Sequence, residues 1–161
     1  MTDTMTYAGT GVNYAELDPF KLAAQKAARD TSHGLTRFGV RSHEPSRGES
    51  CYLIRNGNHY LAHVEEGLGT KNLAADIYDE LLGTCSYAAI AQCTVAMIVN
   101  DMITVGALPL SVAMHLAVGD SAWFKNERRV QQLIEGWALA CRLSGASWGG
   151  APEATRVAST W

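Results

Sequence analysis

With 161 residues, 47% apolar and 18% charged, the chain is long enough for one real core and has the composition of an ordinary soluble domain. Its formal net charge is -3, and Lys21, Lys26, Arg29, Arg37, Arg41 and Arg47 are spread out and interrupted by Asp30 and Glu44. No dense basic stripe exists, so a nucleic-acid platform is not expected.

The first ten residues are polar and carry no basic n-region followed by an apolar run, so no secretory signal is read and a cytoplasmic setting is the default expectation. Asp18 before Pro19 is a helix-start signal, and Phe20, Leu22, Ala23, Ala24 and Ala27 support a short helix ending near Arg29. From Asp30 to Glu49 the chain is rich in Ser, Gly, Arg and His with no sustained period, the mark of a mobile or functional connection. Residues 1–50 therefore read as a loose front end, a helix plus a loop, and residues 51–161 as the domain proper.

Cys51 to Arg55 and His59 to Val64 read as two strands of a hairpin around Asn56-Gly57, a preferred pair for a tight turn. A helix is expected over about Asn72–Leu82, a long buried helix over about Tyr87–Val105, and a strand over about Leu110–Ala117. The Tyr87–Val118 region is apolar enough to raise a membrane span, but Asn100, Asp101 and Pro109 interrupt it, so a buried helix followed by a strand is the reading. Val130, Leu133, Ile134, Trp137, Cys141 and Leu143 form a 3.6-residue stripe opposite Glu127, Arg128, Gln131, Gln132 and Glu135, with Gly145 as C-cap. A short strand, Ala146 to Trp148, closes the pattern. Cys51, Cys85, Cys93 and Cys141 form no C-x-x-C pair and read as buried thiols.

Glu65-Glu66-Gly67-Leu68-Gly69-Thr70-Lys71 connects the hairpin to the next helix. Glycines let backbone N–H groups turn toward an anion, Thr70 offers a hydroxyl, Lys71 a point charge, and the adjacent carboxylates are able to hold a metal. The same residues also suit a plain glycine turn, because the full P-loop spacing and the third glycine of a dinucleotide fingerprint are both missing. Asp101 is the second chemically loaded residue: its helical neighbours Met97, Ile98, Thr104 and Val105 are uncharged. A carboxylate there needs a cation, several hydrogen-bond donors, a lysine such as Lys71, or a cleft. Helical spacing places Asn100 near the face of Cys93, and Asp101 near that of Thr94, as either a polar pocket or a small-residue packing face.

Val95-Ala96-Met97-Ile98-Val99-Asn100-Asp101-Met102 followed by Gly106-Ala107-Leu108-Pro109-Leu110 closely resembles the Asn-Asp block of AIR synthases, the phosphoribosylformylglycinamidine cyclo-ligases of purine biosynthesis. The glycine loop resembles that family's Asp-Gly-Val-Gly-Thr-Lys. The resemblance extends to Tyr7-Ala8-Gly9-Thr10-Gly11-Val12-Asn13, to Ile134-Glu135-Gly136 with Ala140-Cys141, and to Trp148-Gly149-Gly150. It implies an α/β (α+β) N-terminal domain with a mixed or antiparallel sheet of about four strands, helices on one face, and sheets that pair into a dimeric barrel. It further implies ATP and Mg2+ as cofactors, a phosphoribosyl small-molecule substrate, and a homodimer. On the matching positions, Gly67, Gly69, Thr70 and Lys71 would hold ATP phosphates, Glu66 and Asp101 would hold Mg2+, and Lys71, Asn100 and Asp101 would serve catalysis.

Several positions depart from the family. Its loop Asp is Glu66 here, and its other acids fall on Cys93, Leu108, Met114 and Ala151, with Glu153 as a substitute for the last if the register shifts. Fewer carboxylates weaken a site for a hard divalent ion. The family continues into a second α/β domain beyond the position of Trp161, so the chain reads as an N-terminal half expected not to turn over substrate by itself. The alternative is a diverged, non-catalytic dimerisation or nucleotide-binding module of the same fold.

Overall fold

A computed structural model of the chain describes residue 9, residues 11–149 and the backbone of Glu153–Arg156. The chain divides into two compact units, Met1–His63 and Val64–Trp161.

In the first unit, helix α1 (Tyr14–Asp30) starts earlier than the Asp18-Pro19 signal suggests. Asn13 is the effective cap: its side chain accepts from the Ala15 N–H at 3.1 Å, and its carbonyl accepts from Glu16 and Leu17. Pro19 then falls inside the helix, in its second turn, where its missing N–H forfeits a backbone bond. The aperiodic stretch that follows is built of short pieces: a 3-10 turn over Ser32–Phe38, strand β1 (Arg41–Ser42) and a second 3-10 turn over Glu44–Ser46. Buried Ser46 fastens the last piece, donating to the His43 carbonyl at 2.7 Å and accepting from Leu53 N–H at 2.9 Å.

Strands β2 (Tyr52–Asn56) and β3 (His59–His63) form the expected hairpin, and β1 adds antiparallel to β2. Asn56 pairs with His59, so the two-residue turn is Gly57-Asn58, one step later than the Asn56-Gly57 expectation. Gly57 alone takes positive φ, 58°, which fits a II′ turn with Gly at its first central position.

In the second unit, α2 (Lys71–Leu82) and α3 (Tyr87–Ile103) lie close to their expected bounds. The expected strand over Leu110–Ala117 is divided into β4 (Ser111–Val112) and β5 (His115–Val118). Helix α4 (Glu127–Ser144) follows and ends on Gly145 at φ 74°. The chain then returns as β6 (Ser147–Trp148), parallel to β4, and β7 (Glu153–Arg156), parallel to β5. Helix α4 is thus the crossover of a parallel β-α-β unit.

The core lies where α3 and α4 cross. Tyr87, Ile90, Ala91 and Val95 meet Leu133, Trp137, Ala140 and Cys141, with Val112 and Met114 added from the strand region. The buried stripe of α4 is Leu133, Gly136, Trp137, Ala140 and Cys141, whereas Ile134 and Leu143 of the expected stripe are exposed. Small residues replace them on the buried face because the helices approach closely: a Cβ at Gly136 would lie 2.5 Å from the Ala88 carbonyl oxygen and 2.6 Å from its Cα. Burying Leu133 contributes about 1.5–3 kcal/mol in transfer free energy.

The architecture is mixed α/β. The described strands form three small sheets, one antiparallel and two parallel, where the sequence suggested a single sheet of about four strands. Only Ala113 and Met114 interrupt the chain between β4 and β5, and the two parallel pairs fall on either side of that break. Among the described residues no helix is long and apolar enough to cross a membrane.

Candidate functional site

Leu68 packs against the core while Gly67 and Gly69 on either side of it are exposed, so one side chain anchors the loop between two glycines. Neither glycine takes positive φ, and a Cβ built on either would meet nothing within 4 Å. Internal packing therefore does not require glycine at 67 or 69; open space on that side is compatible with a group approaching the backbone.

Thr70 is the N-cap of α2, yet its side chain makes no capping hydrogen bond. Its carbonyl accepts from Ala74 N–H at 3.2 Å, which starts the helix and leaves the first-turn N–H groups without helical acceptors. The first turn holds no acidic residue, and Lys71, its first residue, is exposed. A free hydroxyl, an ammonium and the positive end of a helix thus occur on one continuous segment, a donor set suited to phosphate oxygens. Asn72 follows with a buried Oδ1 that has no hydrogen-bond partner among the described residues.

Asn100 and Asp101 lie in the last turn of α3. Asn100 is exposed and lines a groove of about 320 Å³ between α3 and α4, with Gln92 and Ser144 as its other polar groups. Asp101 is half-buried; its carbonyl accepts from Thr104 Oγ1 at 2.6 Å, and its carboxylate has no hydrogen bond or ion pair among the described residues. Thr94 donates back to the Ile90 carbonyl at 2.8 Å, and Cys93 is half-buried, so this face of α3 is partly a packing face. Glu66 is exposed on the loop. Among the described residues no group of three or more His, Cys, Asp or Glu side chains converges as a metal cage. Two carboxylates suffice for Mg2+ only where substrate phosphates and water complete the octahedron.

The departures occupy different surroundings. Met114 is buried, 6% exposed, in the core cluster, whereas Leu108 is 83% exposed. Ala151 and the side chain of Glu153 lie outside the described residues, as do Tyr7, Ala8, Thr10 and Gly150 of the matching motifs.

Sequence reasoning missed the polar framework between α2 and α3. Asp79 accepts from Ser86 N–H and Oγ–H at 2.7 Å each and from Thr84 Oγ1 at 2.8 Å, tying the end of α2 to the start of α3. Burial pushes its carboxyl upward, but the Ser86 and Thr84 hydrogen bonds and the Arg128 charge prevail and hold it below its ordinary value. Tyr87 donates to Asp76 at 2.7 Å, and burial together with that carboxylate pushes the phenol up to about 12. Arg129 lies 3.7 Å from Asp76 and over the rings of Tyr87 and Trp123. The signal that was present is Asp79-x6-Ser86, an acidic residue in the last turn of one helix followed by a serine at the start of the next.

The description "AIR synthase related protein, N-terminal domain" matches residues 48–152. Similar proteins include phosphoribosylformylglycinamidine cyclo-ligases from Streptococcus sanguinis, 37% identical over 91% of this chain and 40% of the relative, and from Caldicellulosiruptor bescii, 31% identical over 88% and 38%. The corresponding enzyme of Pyrococcus furiosus is 29% identical over 88% of this chain and 39% of its own length. The chain therefore spans about two fifths of the length of the relatives it matches. No solved structure is a significant match. By the match over residues 48–152, the chain belongs to the AIR synthase related family and carries its N-terminal domain.

Proposed function

We propose that the chain is the ATP-binding N-terminal part of an AIR synthase-like cyclo-ligase, acting on a phosphoribosyl small-molecule substrate in purine biosynthesis. The observation that carries this reading is the donor set at the start of α2, Thr70 without a cap bond and exposed Lys71 behind open-faced Gly67 and Gly69, in a chain of this family. Backbone N–H groups at 67–71 and the Thr70 hydroxyl cradle phosphate oxygens, and Lys71 neutralises their charge. Glu66 and Asp101 would hold Mg2+, and Asn100 would orient the site. ATP with Mg2+ supplies an activated phosphoryl group for an amide oxygen of the substrate; phosphoryl transfer depends mainly on positioning and charge neutralisation, which these residues provide. A second domain completes the cleft, so the 161-residue chain binds Mg-ATP weakly and does not turn over substrate. Sheet pairing between two copies gives a homodimer, with residues 51–161 as the ATP-binding and dimerisation domain and residues 1–50 as its leading helix and loop.

One observation favours a second reading, a diverged non-catalytic dimerisation or nucleotide-binding module. The position of a family acid is taken by Met114, which is packed in the core. Calorimetric titration of ATP with and without Mg2+ into the wild type and Lys71→Ala tests the ATP site that the first reading requires. Heat that depends on Mg2+ and falls in Lys71→Ala supports the ATP site; no heat, or identical heats in both proteins, overturns it. Light scattering that finds only monomer at high concentration overturns the dimer.

A further inference from the structure

A second concave surface lies wholly within the first unit and owes nothing to the nucleotide loop. It is a groove of about 630 Å³, bordered by α1 at Ala24 and Ala28, by the turn carrying Leu35, Arg37 and Phe38, and by Tyr52 of β2. That volume falls in the range of small-molecule sites, whose walls are mostly apolar with few polar groups. Gly48 lets one wall pack closely: it takes φ 85°, and a Cβ there would strike the Gln25 amide.

The charges around the groove are unbalanced. Arg47 and Arg29 share one carboxylate, Glu44, at 2.9 and 3.1 Å, and the Arg47 hydrogen bond holds that acid down at about 2. Arg47 is further fixed by Ser32 at 2.6 Å and Ser42 at 2.8 Å, so its fork is committed. Arg37 has no carboxylate partner among the described residues; its guanidinium lies 4.6 Å from the centroid of the Phe38 ring, which is 68% exposed. An unpaired guanidinium laid on an exposed ring, at the edge of an apolar groove, presents a bidentate fork beside a flat apolar face.

We propose that this groove binds a planar aromatic anion, with its carboxylate or phosphate on the Arg37 guanidinium and its ring against Phe38 and Leu35. Nuclear magnetic resonance titrations of the 161-residue chain with benzoate, phenyl phosphate, inorganic phosphate and benzyl alcohol test it. Saturable shifts of the Leu35, Arg37 and Phe38 amides are expected from one or both aromatic anions, and the stronger of the two identifies the anionic group. Binding should weaken at least about tenfold for the ringless and the uncharged probes and in Arg37→Gln. Exposed Arg41, a basic residue outside the groove, serves as control, and Arg41→Gln should bind as the wild type does. Absence of saturation, equal binding of inorganic phosphate, or equal weakening in Arg37→Gln and Arg41→Gln would overturn the proposal. Arg37 is exposed, so its replacement leaves the fold available for measurement.

Discussion

The α3–α4 crossing and the loop at 64–70 belong to the same compact unit and are constrained in opposite ways. At the crossing, every position is dictated by its neighbours: Gly136 has backbone against it, and Trp137 and Leu133 are buried on either side. In the loop, Leu68 alone is held by the core, and Gly67, Gly69, Thr70 and Lys71 have space around them and donors left over. Residues fixed by packing account for the fold, and residues the fold leaves free are where a ligand has to be sought.

The contrast can be broken first at Gly136. Gly136→Val places branched carbons against the Ala88 backbone, which has no side chain to swing aside, and should destabilise the unit by about 3 kcal/mol or more, read by urea denaturation. A small loss would mean that α3 and α4 separate easily and that the crossing is not the rigid element.

Asp79 sets the next scale, because it spans from the packed helices to the turn between them. Asp79→Ala should cost about 1–2 kcal/mol through loss of the cap on Ser86. Its folded carboxyl lies below the unfolded value of about 3.9, so its contribution is present above that pH and is lost as the pH falls through the lower folded value. Wild-type stability should therefore fall in acid more steeply than that of the variant.

Tyr87→Phe removes the hydrogen bond to Asp76 and should cost about 1 kcal/mol. The phenol is raised from about 10 to about 12, so its contribution is fully present below pH 10 and is lost as the pH climbs through 12. Ultraviolet titration should show one tyrosine ionising later than the others, and that late step should vanish in the variant.

The smallest effect sharpens the other side of the comparison. Gly67→Ala and Gly69→Ala should change stability by no more than about 0.5 kcal/mol, since neither φ nor space demands glycine. The same changes should weaken the ATP heat if the proposed cradle exists. A large stability loss would make these glycines structural and remove the reason to look for a ligand there.

Much of this was legible from periodicity. The approximate bounds of α2 and α3 follow from the apolar pattern, those of α4 from its 3.6-residue stripe and Gly145, and the hairpin from two strand-like runs flanking Asn56-Gly57. What was not legible depends on particular competitions. Asn13 outcompetes Asp18 as a cap because its side chain finds the Ala15 N–H, which no composition rule specifies. The turn slips to Gly57-Asn58 because cross-strand pairing fixes the register. Gly136 and Ala140 replace Ile134 on the buried face because a close helix contact is a property of two helices together. At the candidate site, the loop was found from its glycines and Lys71, whereas Asp79 and Arg129 were not: Asp79 reaches Thr84 and Ser86 across the connection between two helices, and Arg129 on α4 meets Asp76 and Tyr87 from a distant part of the sequence.

Met114 limits what its own position can accept. It is buried in the core cluster together with Val112, Val95 and other apolar side chains. Met114→Asp would bury a carboxylate among groups that cannot solvate it, and the protein would resist ionisation or open there. An acid at residue 114 is thus closed off until neighbouring side chains have changed as well, so the packing of the core acts as a lock: whatever polar chemistry this unit carries has to be assembled on the surfaces the core leaves outside it.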